Sequence, residues 1–359
     1  MSKKMNILIA GAGRIGYMLA TILARDQKNK IVLVDIHKPN ESPTVNQNLK
    51  FITCDITNKQ EFRSVILNHN IQAIISCLAF YFNEAVAQIA NTENCHYFDL
   101  TEDVETTHAI FSLSKNAHTA FVPQCGVAPG LINIIANKLI LSFKQTNQTL
   151  PKSVKLYCGA LPQKITNSLG YALNWSTEGL INEYINPARI LRNSRNTKIN
   201  SLTDVEPLEI RGTTYEAFHT SGGIGTLIDT YEQKIDSMAY KTIRFPGHCE
   251  KMRFLLDELK LKSERKILIN ILENALLTNQ ADFVITHIEV DNLSDTRLFY
   301  PTQIFGVDCN AIQAVTSASA AALINTVISN PGIYKGAIKQ EDFSLEDILQ
   351  HDLTGYLQQ

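Results

Sequence analysis

Three glycines at a fixed spacing form the clearest chemical motif in the chain. Gly11, Gly13 and Gly16 follow the apolar run 7–10, and a helical pattern begins directly after them. In a strand–turn–helix unit the first glycine permits the tight turn and the second admits a pyrophosphate close to the backbone. The third lets the helix approach the sheet, and the helix N-terminus offers N–H groups to phosphate. The motif therefore predicts a bound dinucleotide rather than an ordinary glycine-containing turn. The predicted contacts in this loop are Gly11, Gly13, Arg14, Ile15 and Gly16.

An acidic residue in the right place indicates which dinucleotide is bound. Asp35 ends the second apolar run, 31–34. Its carboxylate can accept hydrogen bonds from both ribose hydroxyls of an adenosine, and it would repel the additional phosphate of NADP. The sequence therefore favours NAD as the cofactor. His37 and Lys38 follow directly and could soften that repulsion, so NADP stays an alternative.

Further cofactor contacts are expected where other strands end, because ligands of such sheets bind beyond the carboxyl ends of the strands. Two of these tips are Asp55–Ile56 and the segment 77–81. Asp55 is placed to reach the adenine side, or else it caps the helix predicted from residue 59. The additional predicted cofactor contacts are Asp55, Ile56, Cys77 and Leu78.

The elements that must hold these residues alternate between strand and helix over residues 1–127. Short apolar strands separated by helices predict parallel strands buried on both faces, which is the doubly wound α/β Rossmann arrangement. The predicted strands are 6–10, 30–35, 50–54, 72–78, 95–100 and 119–124, and the predicted helices are 14–26, 59–68, 83–92 and 103–116.

The pattern changes after residue 130 and predicts a second domain, 128–311, of α+β type with a mixed sheet. The stretch 193–206 is the most loop-like, and the small-residue helix 312–328 begins a segment, 312–359, expected to pack back on the first domain. The predicted strands here are 153–160, 208–212, 215–219 and 283–290, and the predicted helices are 131–142, 167–185, 225–237, 248–258 and 264–276.

Composition narrows the class of protein. A chain of 359 residues is most simply two domains, and a net charge of −2 gives no support for a nucleic-acid or anionic-membrane partner. Seven cysteines without a C-x-x-C pair indicate reduced thiols, so we expect a cytoplasmic protein without a secretory signal. The uncharged stretch 309–334 is rich in Ser, Thr, Asn and Gln, and predicts a buried helix rather than a membrane span. Nine histidines lack metal-ligand spacing, so no metal is expected.

Several peptides together resemble one family. They are YFDLTED (97–103), CGVAPGLINIIA (125–136), NSLGYALNWSTEGLINEY (167–184), EAFHTSGGIGTL (216–227) and YKTIRFPGH (240–248). With the glycine motif they resemble the saccharopine dehydrogenase (saccharopine reductase) family, including its lysine 6-dehydrogenase relatives. The resemblance runs from about residue 5 to about residue 330. It implies a Rossmann domain joined to a substrate and oligomerisation domain, in a homodimer or larger homo-oligomer.

The same resemblance implies a reaction. Members oxidise a carbon–nitrogen bond of a lysine-derived amine, pass hydride to NAD or NADP, and hydrolyse the imine to 2-aminoadipate semialdehyde. Saccharopine yields glutamate as the second product, whereas lysine yields ammonia. Fungal-type members tend to carry an arginine after the Trp-Ser dipeptide, but Glu178 stands in that region here, as in the lysine 6-dehydrogenase branch. A further helical stretch, 186–192, is predicted to follow, and Arg189 or Arg192 within it could then serve the substrate carboxylate. Saccharopine is preferred over lysine, and a non-catalytic dinucleotide sensor is the rival from another class.

The chemistry requires a base, because an alkylamine must lose its proton before it can expel hydride, and water must then be activated. Candidates at strand tips are Tyr81, Asp99, Glu102 and Asp103, of which Asp103 best matches the family's acidic position. Alternatively, Thr101 caps a helix whose first turn contains Asp103. For Tyr81 the alternative is packing in the core. Asp103 and Tyr81 are the predicted catalytic residues.

A substrate with carboxylates calls for a bidentate arginine, and Arg244 is the first choice, with an interdomain salt bridge as the alternative. His248 could orient a carboxylate or shuttle a proton, or merely cap a helix. The turn of small residues at 220–223 could supply backbone donors to a ligand or could be a plain tight turn. The predicted substrate-binding residues are Arg244, His248, Glu178, Thr220, Ser221 and Gly222.

Overall fold

The computed structural model describes residues 5–38, 47–278, 280–330 and 332–358. These residues form two compact units. Unit 1 contains the described residues up to 131 together with 303–307 and 313–358, and unit 2 contains those of 132–302 and 308–312. The sequence-based boundaries were 127/128 and 311/312.

Unit 1 is built on a parallel sheet in which the first six strands are ordered 3-2-1-4-5-6. That order is the doubly wound Rossmann arrangement, so the predicted fold class is confirmed. Its helices bury apolar side chains against the sheet, among them Phe62, Val86 and Ile110. The strands are β1 (Met5–Ala10), β2 (Asn29–Asp35), β3 (Leu49–Thr53), β4 (Ala73–Ser76), β5 (His96–Asp99) and β6 (Ala120–Val122), and the helices are α1 (Arg14–Leu23), α2 (Lys59–Asn68), α3 (Asn83–Thr92) and α4 (Val104–Ser114).

Unit 2 is built on a mixed sheet, as predicted. Its order is β10-β11-β12-β7-β13-β14, with β8 paired to β12 and β9 paired to β8. The strands are β7 (Ser153–Pro162), β8 (Ala188–Arg192), β9 (Arg195–Ile199), β10 (Glu206–Ile210), β11 (Thr213–His219), β12 (Ser237–Arg244), β13 (Asp282–Val290) and β14 (Leu293–Phe299). The helices are α5 (Leu131–Asn147), α6 (Thr177–Ile185), α7 (Leu227–Tyr231), α8 (His248–Arg253) and α9 (Arg265–Ala275).

The C-terminal part adds a strand to the first sheet. After two short paired strands, β15 (Thr302–Ile304) and β16 (Val307–Cys309), comes α10 (Ala311–Ser329). Then β17 (Gly336–Ala337) pairs in parallel with β6, and α11 (Leu345–Gln350) follows. By length and composition α10 could cross a membrane, but most of it is buried inside the protein. Its buried small residues match the predicted small-residue helix.

Four predicted elements of unit 2 are wrong in type or in extent. Residues 167–176 are not helical, because Gly170 has a φ of +60° and the Asn167 side chain holds the Tyr171 backbone in a local turn. Helix α6 begins only after Ser176, whose hydroxyl caps it. The loop-like stretch 193–206 contains β9, and residues 186–192, read as helical, contain β8. The predicted helix 225–237 shortens to α7.

Candidate dinucleotide and substrate sites

The glycine loop of unit 1 meets the steric demands of a dinucleotide site. Gly11 has a φ of +103°, and a Cβ there would lie 2.8 Å from the Cys77 carbonyl oxygen. A Cβ on Gly16 would lie 1.9 Å from the Gly11 carbonyl oxygen, so only glycine lets α1 start so close to β1. By contrast, a Cβ on Gly13 would meet no atom within 4 Å. The open side of the loop is therefore at Gly13, where a pyrophosphate would approach.

Asp35 lies where β2 ends and faces this loop. Its Oδ2 accepts a hydrogen bond from the Ala12 N–H at 2.7 Å, and its Oδ1 accepts one from the His37 N–H at 3.0 Å. Of the other loop residues, Arg14 is exposed and Ile15 is half-buried. The structure thus gathers the glycine loop and the acid at one sheet edge. The bond between Ala12 and Asp35 was not predicted from the sequence.

The remaining predicted cofactor residues lie at the neighbouring strand ends. Asp55 is exposed, and its Oδ1 accepts hydrogen bonds from the backbone and hydroxyl of Thr57, which lowers its pKa. Its alternative role as the cap of α2 is wrong, because Asn58 caps that helix through the Glu61 N–H. Ile56, Cys77 and Leu78 are half-buried.

The two predicted catalytic residues occupy different surroundings. Asp103 is half-buried and is itself the cap of α4, since its Oδ1 accepts the Thr106 N–H at 2.8 Å. The alternative that Thr101 caps the helix is therefore wrong. Tyr81 is 61% exposed, so its alternative role in core packing is also wrong. It lies in a short 3-10 turn next to Phe80 and Phe82. Their catalytic roles stay predictions.

Asp99 is a fully buried carboxylate at the end of β5. Its Oδ1 accepts the N–H groups of Thr101 and Gln124 at 2.9 and 3.2 Å, and its Oδ2 accepts the Tyr97 hydroxyl at 2.8 Å. Burial raises its pKa from 3.8 to about 6 in spite of these hydrogen bonds. Asp99 therefore joins the loops after β5 and β6. The amide of an asparagine at this position could bind the same three groups.

The raised pKa predicts an unusual dependence of stability on pH. Because the folded state holds the Asp99 proton more tightly than the unfolded chain does, its contribution favours folding at low pH and declines as pH rises from about 4 to about 6. The isosteric Asp99→Asn variant should lack this decline. Its stability relative to wild type should improve between pH 4 and 7, by up to roughly 3 kcal/mol. Urea unfolding across this range measures it, and a constant difference would contradict it.

In unit 2, Arg244 ends β12 and is only 2% exposed. Its Nε donates to the Tyr184 hydroxyl at 3.0 Å, and its Nη1 donates to the Ile243 carbonyl at 2.9 Å. The guanidinium lies over the Tyr171 ring, 4.9 Å from its centre. Among the residues that the structure describes, Nη2 has no hydrogen-bond partner. A buried guanidinium whose Nη2 makes no hydrogen bond to a described residue is suited to a carboxylate.

The segment after Arg244 is fixed by a residue that the sequence did not single out. Glu216 lies opposite Arg244 on β11, and its carboxylate accepts the N–H groups of Gly247 and Cys249 at 2.7 and 2.6 Å. It thereby caps α8, so His248 is not the cap. The His248 ring instead contacts the Leu169 carbonyl and the Tyr184 hydroxyl, each at 2.9 Å.

The small-residue turn lies close to the same strands. Thr220 and Ser221 are buried, the Thr220 hydroxyl contacts the Thr242 hydroxyl at 2.7 Å, and the Ser221 N–H donates to the Glu183 carbonyl at 2.9 Å. Gly222 has a φ of +91°, and its carbonyl accepts the Gly225 N–H. This is a tight turn, and its role in binding substrate stays a prediction.

Glu178 is held by another residue of unit 2. Its Oε2 pairs with Nε and Nη2 of Arg265 on α9, and Arg265 also donates to the Glu178 carbonyl. This contact matches the alternative to a substrate role, in which Glu178 pairs with a neighbour. Likewise, Arg189 pairs with Asp229, and Arg192 is exposed.

For the two substrates that the family resemblance implies, we therefore expect Glu178→Arg to leave the ratio of kcat/KM for saccharopine over lysine unchanged. The variant should instead lower Tm slightly, because two cations would face each other, and a partly exposed pair contributes about 1 kcal/mol or less. The exchange Glu178→Arg with Arg265→Glu should recover the lost Tm. An improved preference for saccharopine in Glu178→Arg would instead place this carboxylate beside the substrate.

Comparison with known proteins supports the family suggested by the peptides. Residues 7–122 match the saccharopine dehydrogenase NADP binding domain, and residues 126–345 match the saccharopine dehydrogenase C-terminal domain. The chain belongs to the saccharopine dehydrogenase family. The predicted resemblance is thus confirmed, and unit 1 contains the nicotinamide dinucleotide-binding domain of this family.

Similar proteins within the family are distant in sequence. The chain is 22% identical over 269 residues to saccharopine dehydrogenase [NADP(+), L-glutamate-forming] of Saccharomyces cerevisiae, covering 72% of this chain and 59% of that protein. It is 23% identical over 216 residues to mitochondrial alpha-aminoadipic semialdehyde synthase of Mus musculus, covering 58% of this chain and 23% of the relative. The chain thus spans less than two thirds of these relatives.

A solved structure has the same fold. The apo saccharopine dehydrogenase (L-Glu forming) from Saccharomyces cerevisiae superposes with a TM-score of 0.71 at 16% identity, covering 96% of each chain. The similarity therefore extends over nearly the whole chain and both of its sheets.

Proposed function

We propose that the protein is an NAD-dependent dehydrogenase that oxidises saccharopine to 2-aminoadipate semialdehyde and glutamate. The observation that carries this proposal is Arg244 in the family's C-terminal domain, a buried guanidinium whose Nη2 makes no hydrogen bond to a described residue. A sensor that reads only the dinucleotide has no need of a second anion-binding group. The names of the relatives in yeast and mouse agree with the proposed substrate and products, whereas the yeast name and the family model name NADP as the cofactor.

The proposed reaction consumes saccharopine, NAD⁺ and water, and it yields the aldehyde, glutamate, NADH and a proton. When bound, the nicotinamide supplies the hydride acceptor. Arg244 would hold a substrate carboxylate by charge-assisted hydrogen bonds. Asp103 is the proposed base, first for the ammonium proton of the substrate and then for the water that attacks the imine. Its carboxylate is half-buried. Oδ1 accepts the Thr106 N–H, and Oδ2 makes no hydrogen bond to a described residue, so Oδ2 can accept a proton.

Lysine is the alternative substrate, with ammonia as the second product. Its main support in the sequence was Glu178, an acid where fungal-type relatives tend to have arginine. Because Arg265 engages that carboxylate, the support for a cationic substrate at this position weakens. Initial rates of nicotinamide reduction with saccharopine and with lysine, measured side by side, test the proposal. Faster turnover of lysine would favour the alternative, and no turnover of either would favour the sensor.

We propose NAD rather than NADP because the Asp35 carboxylate faces the glycine loop, where it would repel an additional phosphate. NAD should bind about ten- to a hundredfold more tightly than NADP, corresponding to roughly 1–3 kcal/mol. Asp35→Ala should narrow or invert that difference, as fluorescence titration of both reduced cofactors can show. Asp26→Ala is the matched control, at an acid that lies just before the opposite end of β2. Equal affinity of the wild type for the two cofactors would contradict the assignment of NAD as the cofactor.

A further inference from the structure

The tautomer of His248 follows from its contacts. The ring is 1% exposed, and its Nδ1 lies 2.9 Å from the Leu169 carbonyl oxygen, which can only accept a hydrogen bond. Nδ1 therefore carries the hydrogen. Burial, together with the positive charge of Arg244, lowers the pKa of His248 to about 3, so the ring is neutral. Its Nε2 is then an acceptor.

The direction of the next hydrogen bonds is fixed in turn. With Nε2 as acceptor, the Tyr184 hydroxyl donates to it across 2.9 Å, and burial raises the pKa of Tyr184, which keeps that hydrogen in place. The oxygen of Tyr184 is then free to accept the Nε–H of Arg244 at 3.0 Å. The result is one directed chain of hydrogen bonds, in which Arg244 donates to Tyr184, Tyr184 donates to His248, and His248 donates to the Leu169 carbonyl.

Three contacts hold the guanidinium, and none of them involves its Nη2. Nε is held by Tyr184, Nη1 by the Ile243 carbonyl, and the flat face by the Tyr171 ring. A planar group held at Nε, at Nη1 and on one face is restrained from rotating. Its Nη2 therefore keeps a constant direction. Since a bidentate contact with a carboxylate requires alignment of both planes, such fixation favours that ligand.

We propose that Tyr184 and His248 are positioning residues, which align the Arg244 guanidinium for a substrate carboxylate and do not themselves contact substrate or transfer its protons. This inference rests on the proposed function, and it assigns His248 a role different from orienting a carboxylate or shuttling a proton. Both ring nitrogens are used within the protein, so neither is left for substrate.

Tyr184→Phe removes one hydroxyl and keeps the ring that packs against Phe218. KM for saccharopine should rise about tenfold, as for loss of one hydrogen bond to a charged group, with kcat within about twofold of wild type and an unchanged Kd for NAD. Tyr157→Phe is the matched control, because its buried hydroxyl donates to the Glu206 carboxylate at 3.0 Å rather than contacting Arg244. KM should be unchanged in that variant. An unchanged KM in Tyr184→Phe, or a loss confined to kcat, would overturn the proposal.

A second measurement needs no substrate and separates this inference from the proposed function. In protein labelled with ¹⁵N-histidine, NMR should show His248 as the neutral Nδ1–H tautomer at neutral pH, and Tyr184→Phe should shift the Nε2 resonance. A doubly protonated ring, or the opposite tautomer, would contradict the directed chain. If this NMR result is obtained while wild-type protein turns over neither amine, the proposed function fails and the positioning chain stands.

Discussion

Arg244→Lys is expected to raise KM for saccharopine by about a hundredfold while the Kd for NAD stays constant. Lysine keeps the positive charge but has neither the planar fork nor an Nε–H for Tyr184. A misaligned point charge would replace a fixed bidentate donor, and loss of such a contact corresponds to about 3 kcal/mol. Steady-state kinetics with varied saccharopine, together with a titration of NAD, measure both quantities.

The matched control is Arg265→Lys, the same substitution at the arginine that pairs with Glu178. It should leave both KM and the Kd for NAD near their wild-type values. If Arg244 only stabilises the fold, Arg244→Lys will lower Tm and leave KM nearly unchanged. That result would remove the substrate-binding role of Arg244.

Gly13→Ala should abolish most dinucleotide binding without harming the fold. The added methyl group meets no protein atom within 4 Å, but it stands where the pyrophosphate must approach the backbone. We expect the Kd for NAD to rise about a hundredfold, corresponding to roughly 3 kcal/mol, with Tm near that of wild type. Calorimetric titration and thermal unfolding of the same preparation test both parts.

Gly16→Ala provides the contrasting case three residues later. Its methyl group would lie 1.9 Å from the Gly11 carbonyl oxygen, so the loop or helix α1 must move. This variant should lower Tm as well as NAD affinity. If Gly13→Ala binds NAD as tightly as wild type, the loop is not the pyrophosphate site, whatever Gly16→Ala does.

The sequence predicts unit 1 well because its signals are local. Each parallel strand is a short apolar run, and the glycine motif requires a strand before it and a helix after it. The predicted helices 59–68 and 83–92 coincide with α2 and α3. Asp35 and the glycine loop meet because neighbouring parallel strands end at one edge, a consequence of topology that periodicity already implies.

Unit 2 is predicted less well because its geometry depends on residues distant in sequence. The β8–β9 hairpin was read as helix and loop, since its turn uses Asn193 and Ser194 at positive φ instead of the familiar Asn-Gly pair. Tyr171 and Tyr184 lie in a peptide that was read as one helix, which hid the turn that brings both rings to Arg244. Glu216 was missed because its capping role exists only after β11 and β12 pair.

The most direct test of the central claim is the amount of each product formed per nicotinamide reduced. With saccharopine and NAD⁺ as the only substrates, the account predicts one glutamate for each NADH, no release of ammonia, and little reduction when lysine replaces saccharopine. Ammonia released from lysine in step with NADH, without glutamate formation from saccharopine, would contradict it.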